Sequence, residues 1–183
     1  MILNHDLDWS KVGSISTGSG YVRDAFQLKF GDPTRELLPA GMAIYKFNAY
    51  PTLGAGVITD DTGLSPWWSP VESFKHDAGL EQKMKIAQLN GVSLREWGRL
   101  TSVIKENWST LDFLLEVRLK FPVYAWFGGF KGMNRLDSGA QSKRNTELEA
   151  RSSVNKLPGG ATQFYIPNLT VGYLMSHKFT KMN

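Results

Sequence analysis

Cysteine is absent from the 183 residues, which excludes disulfides, thiolate metal sites and cysteine nucleophiles together. A chain without thiols tolerates reducing and oxidising surroundings alike, so its compartment stays open. Histidine is scarce. The three residues His5, His76 and His177 show no ligand spacing, with no pair at i, i+4, so no metal site is expected. No apolar run approaches the roughly 18 to 20 residues that a membrane span needs. The N-terminal stretch MILNHDLDWSKVG has no basic region followed by an apolar one, so the expectation is a soluble chain with no cleavable signal peptide and no membrane partner. A P-loop, a nucleophile elbow and internal repeats are also missing. Charge excess is small, with 21 Lys and Arg against 17 Asp and Glu for a net charge of +4, which favours anionic ligands without singling out nucleic acid.

What is present is globular in character. Apolar residues make up 42% and charged residues 21%, far from the composition of disorder, and the length suits a single domain over residues 1–183. The spacing predicts an α+β chain. After a loop-rich start with a short strand over 21–30, the turn Pro39-Ala40-Gly41 leads into a strand over 42–47. Alternation there puts Met42, Ile44 and Lys46 on one face and Ala43, Tyr45 and Phe47 on the other. Residues 51–70 read as a loop or ragged hairpin. Residues 77–90 read as a helix with Leu80, Met84 and either Ile86 or Ala87 inward, stopped by Asn90-Gly91. Ser93 and Glu96 form a capping box for a second helix, along which Leu94, Trp97, Leu100, Ile104 and Trp108 recur at helical spacing, placing both tryptophans in the core.

The sequence FLLEVRLKF, 113–121, alternates as a half-buried strand, and VYAWFGG continues as a second extended piece. The polar run 131–156 reads as a long excursion with a short helix near 146–152. Gly159-Gly160 then turns into a strand over 161–166. The segment VGYLMSHKF fits a strand or a helical turn equally well.

Within this frame LSPWWSP, residues 64–70, places two adjacent tryptophans between two prolines. Three segments taken together carry the ingredients of a nucleotide site. Tyr45-Lys46 offers an aromatic and a cation, Trp67-Trp68-Ser69 an aromatic wall with a hydroxyl, and Gln163 an amide four residues past Gly159. A cation fixes phosphate, an aromatic face stacks a ring, and hydroxyl and amide orient a sugar.

In this arrangement the chain resembles the ADP-ribosyltransferase-like superfamily, more narrowly bacterial NAD-consuming toxins of the tuberculosis-necrotizing-toxin kind. The resemblance covers residues 38–75 and 157–168, under a third of the chain. It implies a split, mostly antiparallel sheet with two central helices, and NAD as substrate without a metal. It further implies Lys46 and Gln163 as catalytic residues, with Tyr45, Lys46, Trp67, Trp68, Ser69 and Gln163 binding NAD. Two departures are visible. Lys46 stands where members carry Arg or His, so phosphate is gripped by a point charge rather than a fork. Gln163 stands where many carry Glu, and an amide is no general base, which tilts the chemistry from protein modification toward hydrolysis of the nicotinamide bond. Glu147-Leu148-Glu149 looks like the E-x-E of arginine-directed members and is the alternative catalytic pair, with transfer to a protein or nucleic-acid acceptor. The resemblance also implies an effector made in a bacterial cytoplasm, delivered to a target cell and matched by an immunity protein. A small ribonuclease-type toxin and a non-enzymatic phage or assembly protein are the competing classes.

Overall fold

A computed structural model of the chain describes residues 1–9, 12, 26–27, 33–104, 108–130, 133–134, 156–157 and 159–183. The candidate pair Glu147 and Glu149, and nearly all of the 131–156 excursion, lie outside the described residues. The fold is α+β. In chain order the elements are β1 (Phe26–Gln27), β2 (Thr34–Leu38), β3 (Ala43–Asn48), β4 (Trp67–Pro70), α1 (Leu80–Leu89), α2 (Leu94–Ser102), β5 (Phe113–Leu119), β6 (Val123–Phe130), β7 (Met133–Asn134), β8 (Lys156–Leu157), β9 (Thr162–Tyr165) and β10 (Leu174–Lys181). Seven strands follow one hydrogen-bonded path, β1-β6-β9-β4-β3-β5-β10, with β2 also paired to β6, and all these pairs are antiparallel. Among the described residues β7 and β8 form a separate pair.

The path bends at β4. Trp67 and Trp68 pair with Tyr165 and Phe164 of β9, whereas Ser69 and Pro70 pair with Tyr45 and Ile44 of β3. One strand thus belongs to two half-sheets, and their inner faces close on each other. Ile44, Leu115, Val117 and Leu119 from one half pack with Val123, Phe127, Phe164 and Ile166 from the other in the main core. Strand alternation sends Tyr45, Phe47 and Leu114 to the opposite face, where Leu80 at the start of α1 joins them. The Ile44/Tyr45 split matches the two faces read from the sequence.

Proline explains the bend. Ile166 N–H donates to Pro66 C=O, so the hydrogen-bonding positions along β4 toward β9 are 66, 68 and 70. Pro70 has no N–H to offer there. Thr162, its counterpart on β9, finds partners elsewhere: its C=O accepts from Ser69 Oγ at 2.8 Å and its N–H donates to Asp77 at 3.2 Å. The ladder stops, and the strand leaves β9 for β3.

Several elements differ from the sequence reading. The stretch expected as a loop or ragged hairpin contains β4, a strand in the middle of the path. Helix α1 begins at Leu80 rather than 77, because Phe74 and Asp77 form a β-bridge and Gly79, at φ 83°, turns the chain before the first helical residue. Its buried face is Leu80, Lys83 and Ala87, while Met84 and Ile86 are exposed. Helix α2 is capped as expected, with Glu96 N–H donating to Ser93 Oγ at 3.1 Å, but it ends at Ser102. Val103 there adopts a left-handed φ of 54°, and buried Arg99 pins the turn by donating to Ile104 C=O and Ser109 C=O. Ile104 and Trp108 therefore leave the helix. Strand β5 ends at Leu119, and the undecided segment resolves into a short 3₁₀ turn, Val171–Tyr173, followed by β10. Among the described residues no helix is long and apolar enough to cross a membrane.

Candidate functional site

Where β4 peels from β3, the sheet forks. Val71 N–H donates to Ala43 C=O, so the main-chain groups of Ala43, Tyr45 and Phe47 aim at the β4 side. Tyr45 meets Ser69 there, while Phe47 lies past the last paired position. The fork opens a cleft of about 310 Å³. Its walls are Tyr45, Lys46 and Phe47 of β3, Trp67, Trp68 and Ser69 of β4, and Gln163 of β9, closed by Ser65, Phe130, Ser102, Val103, Ile104 and Trp108. All six residues read from the sequence as NAD-binding, from three separate stretches, line this one cleft.

The tryptophan pair divides. Adjacent strand residues face opposite ways, and Trp68 is buried in the main core, its indole N–H donating to Ser65 C=O at 2.7 Å. Trp67 is half-buried, its ring centroid 4.8 Å from that of Tyr165. Trp108, expected in the core as part of a helix, is 41% exposed and walls the cleft instead. That correction follows from the early end of α2 at Val103. Trp97, the other tryptophan expected in the core, is half-buried.

Lys46 extends along the Trp68 indole, its Nζ 5.6 Å from the ring centroid. Burial pushes its pKa down to about 8. Among the described residues no carboxylate lines the cleft, so Lys46 supplies its one formal charge. Tyr45 is fully buried, and burial, with the Asp77 carboxylate adding to it, raises its phenol far above the ordinary value. The phenol therefore stays protonated. Ser69 Oγ spends its proton on Thr162 C=O, leaving it an acceptor in the cleft. Gln163 is fully buried at the base, paired across β9 with Gly128 of β6.

Behind this wall lies a polar cluster that sequence reasoning missed. Asp77 accepts from Gly79 N–H, from the N–H and Oγ1 of Thr162, and from Lys83 Nζ at 2.6 Å. Burial alone would raise the Asp77 pKa, but the hydrogen bonds of Lys83 and Thr162, the Lys83 charge and the Gly79 amide together hold it below the usual carboxylate value. Burial lowers Lys83 in turn, and Asp77 only partly restores it. Asp77 looks in the sequence like a helix-start residue and Lys83 like a surface lysine; no local pattern announces that they meet inside. Trp108 and Val103 gave equally little signal, because their place depends on where α2 stops.

In comparisons with known proteins, no family model, no curated protein and no solved structure matches the chain.

Proposed function

We propose that the cleft binds NAD and hydrolyses its nicotinamide–ribose bond, in an ADP-ribosyltransferase-like fold. The observation that carries this reading is the convergence of Tyr45-Lys46, Trp67-Trp68-Ser69 and Gln163 on one cleft, borne on the adjacent strands β3, β4 and β9. At about 310 Å³ the cleft takes one ring and its immediate substituents rather than a whole dinucleotide. Its aromatic lining suits nicotinamide, and the unladdered main chain of Phe47 offers an amide its hydrogen-bond partners. The rest of NAD would extend outward, where Lys46 meets a phosphate oxygen.

The chemistry follows from the lining. Breaking the C1′–N bond sends the electron pair to nicotinamide and leaves positive charge on the ribose, as in glycoside cleavage. Gln163 orients a ribose hydroxyl, Ser69 accepts a hydrogen bond, and the aromatic walls limit water to the attacking molecule. Water adds at C1′ and loses a proton to solvent, giving ADP-ribose and nicotinamide. With no carboxylate in the described lining, an acceptor that must first be deprotonated is poorly served, which favours hydrolysis over transfer to protein. The same absence leaves a ribonuclease without its acid–base pair among the described cleft residues. A toxic effector role, opposed by an immunity protein, belongs to the same proposal.

The test is a titration of NAD followed by tryptophan fluorescence, alongside release of nicotinamide. The reading expects saturable quenching with release in the native chain, and loss of release in folded Lys46→Ala and Gln163→Ala variants. Quenching and release that persist in both variants would place the chemistry elsewhere.

A further inference from the structure

Of the lysines whose side chains are described, Lys46 alone is withdrawn from water without a carboxylate beside it. Lys75, Lys83 and Lys85 pair with Glu36, Asp77 and Glu81, and Lys120, Lys178 and Lys181 stand exposed. Lys46 projects into the fork, its Nζ 5.6 Å from the Trp68 ring centroid, with about 310 Å³ of open space before it. No described element around it contributes a carboxylate that would keep it charged. Strands β3, β4, β6 and β9 and the segment after α2 contribute aromatic, aliphatic, hydroxyl and amide side chains. Among the described lining residues, the one other ionisable group is the Tyr45 phenol, held neutral by burial.

An amine so placed is a nucleophile. Burial brings Lys46 down to about 8, so at pH 7.5 about a quarter of it is neutral, against about 0.1% of an ordinary lysine. The reactive form is enriched roughly two-hundred-fold.

We propose that Lys46 is a reactive-amine site that captures an aldehyde carried on a planar, anionic ligand, forming an imine inside the cleft. The Nζ lone pair adds to the carbonyl carbon, and the carbonyl oxygen takes up the amine proton to give a carbinolamine. Loss of water then forms the C=N bond. Amine and aldehyde become imine and water, with no change of oxidation state. The planar requirement comes from the tryptophan walls. The anionic requirement comes from the product, because a protonated imine is a cation in an apolar cleft and is held best by a ligand that brings its own anion. This inference needs the cleft and not NAD hydrolysis. Under the NAD reading, ADP-ribose opens at C1′ to an aldehyde and carries two phosphates, so the hydrolysis product meets the aldehyde and anionic requirements but not the planar one.

Pyridoxal 5′-phosphate is the probe, added to the purified full chain at pH 7.5, trapped with borohydride and mapped by peptide mass. The expected result is labelling of Lys46 at least ten times faster than of Lys85, Lys120 or Lys178, a fast phase that Lys46→Arg removes, and slower trapping of neutral benzaldehyde. Equal labelling of surface lysines, or a Lys46 untouched in the folded chain, overturns the proposal; benzaldehyde trapped as fast as the phosphate overturns its anionic part. Added NAD separates the two readings. Protection of Lys46 by NAD places both ligands in one cleft. Rapid Lys46 labelling that NAD leaves unchanged removes the NAD reading while this one stands.

Discussion

Burying Lys46 as a cation costs the fold stability. Its pKa falls from 10.5 unfolded to about 8 folded, so the folded chain binds fewer protons between those values and stability rises with pH across that window. Below pH 8 the full cost of the buried charge is present. Lys46→Met should therefore be more stable than the native chain at pH 7, by about 1–3 kcal/mol, with the advantage fading between pH 8 and 10.5 in denaturant titrations. Ligand binding should run the other way. A phosphate favours the charged amine, so NAD affinity should hold steady below pH 8 and fall about tenfold per pH unit above it, whereas Lys46→Arg should show a flat profile by calorimetry. At Asp77 the slope of stability has the same direction as at Lys46, in an acid window. Asp77 is held below its usual value, so its contribution is complete above the unfolded pKa of 3.8 and is lost as pH falls through the folded one. Lys83→Met should cost about 3–5 kcal/mol by leaving Asp77 buried and unpaired. Adding Asp77→Asn should recover much of that loss, and a double variant no more stable than the single one would contradict the pairing.

Helix α2 shapes the cleft through one small residue. A Cβ at Gly98 would stand 2.5 Å from the Phe47 ring, which also walls the cleft, so the ring would have to shift. Gly98→Ala should leave stability within about 1 kcal/mol, since alanine gains roughly that much helix propensity. It should nonetheless weaken NAD binding at least tenfold, as thermal denaturation with and without ligand would show. The cap of α2 was legible, because Ser93 and Glu96 are a local signature, and so were β3 and β5: β5 alternates in burial over 115–119, and β3, covered on both faces, still sends Ile44 and Tyr45 into different clusters. Strand β4 was not. WWSP between prolines carries every local mark of a loop, and its place in the sheet rests on partners 24 residues before and 96 residues after it (Tyr45↔Ser69, Trp68↔Phe164). The inward face of α1 was misread for a related reason: the apolar Met84 and Ile86 lie outside, while Lys83 goes in to meet Asp77, which no helical period encodes. The six site residues were gathered from residue chemistry and family resemblance, and the fold brings them together; the walls added by Val103, Trp108 and Phe130 come from chain turns that spacing cannot foresee.

At the scale of the whole molecule, the split of the sheet is the central feature. Pro70 ends the ladder to β9, Ser69 and Asp77 take over the main chain of Thr162, and the diverging strands leave a cleft whose formal charge, among the described residues, is a single lysine. This architecture gives the adjacent tryptophans separate tasks, Trp68 in the core and Trp67 at the opening. Under the proposed function, a cleft with one cation and no described carboxylate suits cleavage with water. The most direct test is to incubate the purified chain with NAD alone and quantify both products by chromatography. The account predicts nicotinamide and ADP-ribose in equal amounts, rising together with protein concentration and absent with Gln163→Ala. NAD recovered intact, with the native chain folded and in excess, would contradict it.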